Sequence, residues 1–259
     1  MTAATVANLK ACFASTLGLC ESLTEDEWAT QSLCPAWTVH GVMSHLAGIE
    51  HVMTGWRPNG DAPAPFDKIG AFVKESKQLS GAELAARFRE ILTKREPELD
   101  ALTADDLAAT SWTPIGIHTY GRFMEVRVFD FWVHEQDARV PLNRPGHLDG
   151  DAARMSLDEV RGSFGYIAGK KVGVPDGKGV TAHLTGPIRA DLSAIVDGRA
   201  KFVESLAHPD AEITTDFLTF MLLACGRIDP EQQLRDGKVT LGGDPALAHQ
   251  LATNLRFTF

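Results

Sequence analysis

Cysteine is scarce in this chain: 259 residues carry four, at Cys12, Cys20, Cys34 and Cys225, with no C-x-x-C spacing. That excludes a disulfide-stapled secreted fold and a zinc ribbon, and it fits reduced thiols in a cytoplasmic protein. Basic charge is also in deficit. Lys and Arg number 25 against 34 Asp and Glu, a formal net charge of −9, the opposite of the footprint that a nucleic-acid binder carries. No apolar run approaches the ~20 residues of a membrane span; the longest, Phe217 to Cys225, is far short of it. The stretch from Ala11 to Cys20 lacks the basic flank of a secretory signal. Phosphate-binding loops are missing as well: Gly242-Gly243 has no Lys-Ser or G-x-G-x-x-G around it and reads as a turn before a helix. Nucleic acid and membrane are therefore not expected partners.

What is present is ordinary globular composition, 44% hydrophobic and 23% charged, in a chain long enough for two domains. The first half reads as amphipathic helices. Val6, Leu9, Phe13, Leu17 and Cys20 recur at helical spacing and predict a helix over residues 3–22. Thr38 is placed to cap the next, whose apolar stripe Val39, Val42, Leu46, Ile49, Met53 and Trp56 extends it to Trp56. Further helices are expected over 66–79 and 82–102, the latter kinked or interrupted by Pro97. A loop at 112–116 then leads into a strong helix over 117–140, stopped by Pro141. Four main helices with such connections suit a bundle.

Residues 141–150 turn to Pro, Gly and Asn, the composition of a hinge. Beyond a helix at 151–168 the period changes. Val180, Ala182 and Leu184, and then Ile188 to Val196, alternate with polar neighbours as half-buried strands do, with Gly186-Pro187 as the turn between them. Short strands at 201–205 and 211–214 precede helices at 217–225, 230–236 and 245–254. The fold class expected is two-domain α+β, with a helical bundle over 1–145 and an α+β domain over 146–259.

The chemistry concentrates on the helix over 117–140. Phe123, Val126, Asp130, Val133, His134 and Asp137 share one face, so a carboxylate and an imidazole sit within an apolar stripe. Asp130 and His134 are four apart and project from consecutive turns, the spacing by which a helix offers two ligands to a metal. His45, at the edge of the stripe on its own helix, supplies a third. The same Asp and His spacing also suits a core histidine satisfied by an aspartate. Asp137 has two readings, an outer partner for a ligand histidine or a salt bridge with Arg139 or Arg127. Cys34 reads as a packing thiol or, less simply, a nucleophile or redox sensor, and His40, His51 and His118 as structural or exposed.

Two motifs carry a resemblance. Cys34-Pro35-Ala36-Trp37-Thr38-Val39 leading into Ser44-His45-Leu46-Ala47-Gly48, and the run from Arg127 to Arg139 containing Asp130 and His134, resemble the mycothiol-dependent maleylpyruvate isomerase family. That resemblance implies a DinB-like metal-binding four-helix bundle followed by a sterol-carrier-like α+β domain. Cys225-Gly226-Arg227 and Leu241-Gly242-Gly243-Asp244-Pro245 look like the closing pattern of the second domain. It implies His45, Asp130 and His134 as metal ligands, Asp130 standing where the isomerase has glutamate, and Arg227 as a catalytic arginine. It further implies a divalent cation, with zinc the metal expected, mycothiol as thiol cosubstrate, and a small electrophile, often acidic, as substrate. A thiolate formed at such a cation would add to a cis double bond and leave after rotation, or else displace a leaving group and remain attached. The rival readings are a non-catalytic small-molecule or lipid carrier whose metal staples the bundle, and a metal-dependent hydrolase with Asp137 or Glu135 as base.

Overall fold

The computed structural model describes residues 2–258. The chain divides into two compact units, Met1–His147 and Leu148–Phe259.

The first unit is helical. Its elements are α1 (Thr2–Cys20), α2 (Glu25–Ala29), α3 (Val39–Met53), α4 (Ile69–Ser76), α5 (Gly81–Asp100), α6 (Ala104–Ala108), the strands β1 (Thr110–Thr113) and β2 (Gly116–Thr119), and α7 (Tyr120–Arg139). The four long helices form the bundle: α1 packs on α5 and α7, and α3 packs on the same two. Side chains stop the free amides at their starts. Thr38 accepts from the Gly41 amide, Ser80 forms a reciprocal capping box with Glu83, and Thr119 accepts from the Arg122 amide. The core is aromatic, with Phe131 of α7 set 5.0 Å from Phe13 of α1 and 6.3 Å from Phe88 of α5.

Three local expectations are corrected. Helix α3 stops at Met53, because Thr54 is extended (ψ 122°) and Gly55 takes φ +75°; Trp56 still reaches the core beside Tyr120 and Phe123. Pro97 does not interrupt α5. It sits in the last turn, and Thr93, whose carbonyl loses its amide partner, lies with it on the exposed face, open to solvent. Residues 117–119 are strand, not helix. Thr113 pairs with Gly116 across a two-residue turn, Gly116 takes φ +118°, and α7 begins only after Thr119.

The second unit opens with α8 (Gly150–Tyr166), which unwinds into a π-helical turn over Ile167–Val172. A five-stranded sheet follows, built from β3 (Gly179–Thr185), β4 (Ala190–Asp197), β5 (Arg199–Val203), β6 (Ala211–Asp216) and β7 (Val239–Gly243). Its order is β5-β4-β3-β6-β7, antiparallel except for β3 beside β6. Helices α9 (Phe217–Ala224) and α11 (Pro245–Thr253) pack on the sheet with α8, and α10 (Pro230–Arg235) lies against α11 and β7. Ala182 pairs with Leu192 on one side and Ile213 on the other, and all three are buried; Thr181 and Ser193, on the opposite face, are buried as well, so the centre of β3 and β4 is covered on both faces. Two expectations change. The first strand of the 188–196 run begins at Ala190, with Ile188 buried just outside it. Gly242-Gly243 is the end of β7, paired with Glu212 and Ala211, rather than a turn. A side chain at Gly243 would meet the Asp210 carbonyl at 2.4 Å, and its φ of +72° is one that glycine tolerates.

Candidate metal centre

Helices α3 and α7 bring three side chains together. His45 projects from the middle of α3, and Asp130 and His134 from successive turns of α7. One donor atom from each lies within 4.8 Å of the others. His134 Nε2 is 3.6 Å from Asp130 Oδ1, and the two imidazole rings meet edge to face at 5.1 Å. Trp37, in the loop before α3, covers both rings, with its centroid 4.9 Å from His45 and 5.9 Å from His134.

The far side of His134 is anchored. Its Nδ1 lies 2.8 Å from Oδ2 of the fully buried Asp137, and Cys34 Sγ donates to the same oxygen at 3.1 Å. The loop holding Cys34 is itself tied to α7, since the Leu33 amide donates to the Asp137 carbonyl. Behind Asp130, Arg127 Nη1 donates to Oδ2. Arg127 Nη2 reaches Glu50 Oε1 of α3 at 3.0 Å, and Arg95 Nε of α5 reaches Glu50 Oε2 at 3.1 Å.

These surroundings set the charges. Burial pushes the His45 imidazole down to about 4, against the pull of Asp130. Burial also opposes charge on His134, but the hydrogen bond its Nδ1 donates to Asp137, its contact with Cys34 and the Asp130 charge carry it up to about 10. Burial raises the Asp130 carboxyl, and the charges of Arg127, His134 and His45 outweigh it, holding the group below its usual range.

The donor set fits a divalent cation. It offers a neutral imidazole, an ionised carboxylate, and a second imidazole whose other nitrogen is held by a carboxylate, with three protein ligands leaving further positions open. Among the described residues, no hydrogen bond satisfies the His45 ring. A second group, Cys34, His134 and Asp137, also has its donor atoms close together, but these already satisfy one another.

The remaining candidates fall elsewhere. Arg227 belongs to the second unit, just after α9; it is half-buried, and its Nη1 donates to the Cys225 carbonyl at 3.1 Å. His40 bonds to the Leu79 carbonyl, His51 stacks near Phe72, and His118 is exposed on β2. Asp137 bonds to His134 and Cys34, while Arg127 goes to Asp130 and Glu50, and Arg139 to Glu135. Glu135 is fully buried and bonded to Ser15, Arg139 and His147. Reasoning from the sequence missed the pairing of Glu50 with Arg127, since neither charge points to the other from its own helix.

Residues 9–139 match the family described as the mycothiol maleylpyruvate isomerase N-terminal domain, and residues 154–250 match the MDMPI C-terminal domain. The chain belongs to this family. No curated protein matches it. Among solved structures, the mycothiol-dependent maleylpyruvate isomerase aligns over 93% of each chain with a TM-score of 0.59 and 14% identity. A histidine-to-alanine mutant of that isomerase aligns over 93% of each chain with a TM-score of 0.61 and 13% identity. At such identity the likeness establishes the fold, and the expected two-domain α+β architecture is the one observed. No helix among the described residues is long and apolar enough to cross a membrane.

Proposed function

We infer that this chain is a metal-dependent enzyme that uses mycothiol for cis-trans isomerisation of, or S-transfer to, a small electrophile. The observation that carries the reading is the convergence of His45, Asp130 and His134 within 4.8 Å in a chain of this family. These three residues would hold the divalent cation, with zinc as the metal proposed. A divalent cation there supplies the positive charge that favours a thiolate over a thiol at neutral pH. Asp137 keeps the His134 ring in one orientation through Nδ1, and Trp37 closes one side of both imidazoles against water. Asp130 is one methylene shorter than the glutamate implied by the resemblance, yet its Oδ1 stands 3.6 Å from His134 Nε2, so the carboxylate reaches the cluster. Arg227 is assigned to the substrate, its guanidinium forking onto a carboxylate.

The test is elemental analysis of the purified protein, followed by cobalt replacement and titration with mycothiol. One cation per chain, with a visible spectrum that changes on adding the thiol, supports the reading. A protein without metal, or a cobalt spectrum indifferent to the thiol, overturns it. His134→Ala is expected to abolish turnover in a folded protein. Loss of folding on metal removal would favour the stapled carrier, and turnover without thiol would favour the hydrolase.

A further inference from the structure

Asp130 has two oxygens, and only one faces the histidines. Oδ1 is 3.6 Å from His134 Nε2, while Oδ2 is taken by Arg127 Nη1. Arg127 is not free to leave. It is 3% exposed, its Nη2 is bonded to Glu50 at 3.0 Å, and its guanidinium lies over the Phe131 ring at 5.3 Å. Glu50, 1% exposed, is held in turn by Arg95, which also reaches Glu98 and the Tyr120 hydroxyl. The chain of charges Glu98, Arg95, Glu50, Arg127 and Asp130 thus crosses α5, α3 and α7. Burying such charges is costly, and well-packed apolar side chains of the same volume are often at least as stable. Arg127 Nε is moreover buried with no hydrogen-bond partner among the described residues. The guanidinium is therefore placed to suit Glu50 and Asp130 at the expense of its own satisfaction.

We propose that Arg127, braced by Glu50, is a positioning residue that occupies Oδ2 of Asp130 and confines this aspartate to one ligand oxygen. The inference rests on the metal reading above and deepens it. A carboxylate binds a cation through one oxygen or through both, and a second oxygen on the cation would fill a position that an incoming thiol needs. With Oδ2 held from behind, that position stays open.

The experiment uses the full chain loaded with cobalt, comparing wild type with Arg127→Met. Because the buried Glu50 loses one partner in that variant, the double substitution R127M/E50Q is made in parallel to preserve folding. The expected result is a visible cobalt absorption that weakens as the coordination number rises, with cation affinity changed by about 10- to 100-fold, as for other outer partners of metal ligands, and an absorption that responds less to added thiol. A purely structural role would lower the thermal midpoint and leave the cobalt spectrum of the folded fraction unchanged; that result overturns the proposal. If wild type takes up no cobalt, the metal reading fails and this inference with it. Cobalt uptake by wild type with identical spectra in both folded variants sinks this inference alone.

Discussion

His134 Nδ1 and Asp137 Oδ2 sit 2.8 Å apart on one helix, with Asp137 fully excluded from solvent. The contact settles which imidazole nitrogen faces the cluster: Nδ1 is bound to the carboxylate, and Nε2 is left toward Asp130. Asp137→Asn keeps the shape but offers an amide where an ionised acceptor stood. Cation affinity is expected to fall about 10- to 100-fold with the fold intact, measured by competition against a chelator of known strength. Equal affinities would show that the contact does not orient a ligand.

Cation binding is expected to release a proton. With His134 carried up to about 10, the metal-free protein holds that imidazole charged at neutral pH, and a cation must displace the proton from Nε2. His45, pushed down to about 4, is already neutral and releases none. Affinity should therefore rise about tenfold per pH unit from neutrality toward pH 9, following the fraction deprotonated. Calorimetry in buffers of different ionisation enthalpy should count about one proton per cation. Affinity flat with pH would contradict the assignment.

The metal-free protein is expected to weaken in mild acid. His45 has a pKa of about 4 when folded against an ordinary value of 6.5, so between these values the unfolded chain binds the extra proton and the folded chain does not. The His45 contribution to stability is complete above 6.5 and declines as the pH falls toward 4, whereas that of His134, whose folded pKa is raised, is complete below 6.5 and is lost as the pH rises toward 10. Asp130, held below its usual range, continues the decline at lower pH. Thermal midpoints measured from pH 7 to pH 4 should fall less steeply in His45→Gln than in wild type. Parallel slopes would reject the contribution of His45.

In the second unit, Gly243→Ala is expected to cost about 1–3 kcal/mol, since a methyl group there is forced onto the Asp210 carbonyl. Gly237, with φ +67° and no atom near its would-be side chain, isolates the conformational part of that cost. Urea unfolding of the two alanine variants should show Gly243→Ala as the less stable. The reverse order would mean that the strand end relaxes freely.

The elements most legible in the sequence were those with a sustained period. The Val39 to Met53 stripe and the i, i+4 spacing of Asp130 and His134 follow from helix geometry alone. Strand β2 was lost because four residues are too few to display alternation, and β7 because paired glycines look like a turn whether or not a neighbour binds their backbone. The glycines of β7 belong to the sheet only through Glu212 and Ala211, some thirty residues away. The bond from Arg127 to Glu50 was invisible for the same reason. Each charge alone reads as a solvated residue, and only the crossing of α3 and α7 shows that they meet in the core.

Trp37 gives the protein an optical gauge of its own centre. Its indole lies against both histidines, whereas Trp28 contacts His40, and Trp56 and Trp112 lie among other aromatic rings. A change in the charge of His45 or His134 acts directly on this indole. Cation arrival and proton departure can then be followed as light emitted by the unlabelled chain, with Trp37→Phe as the control that loses the response.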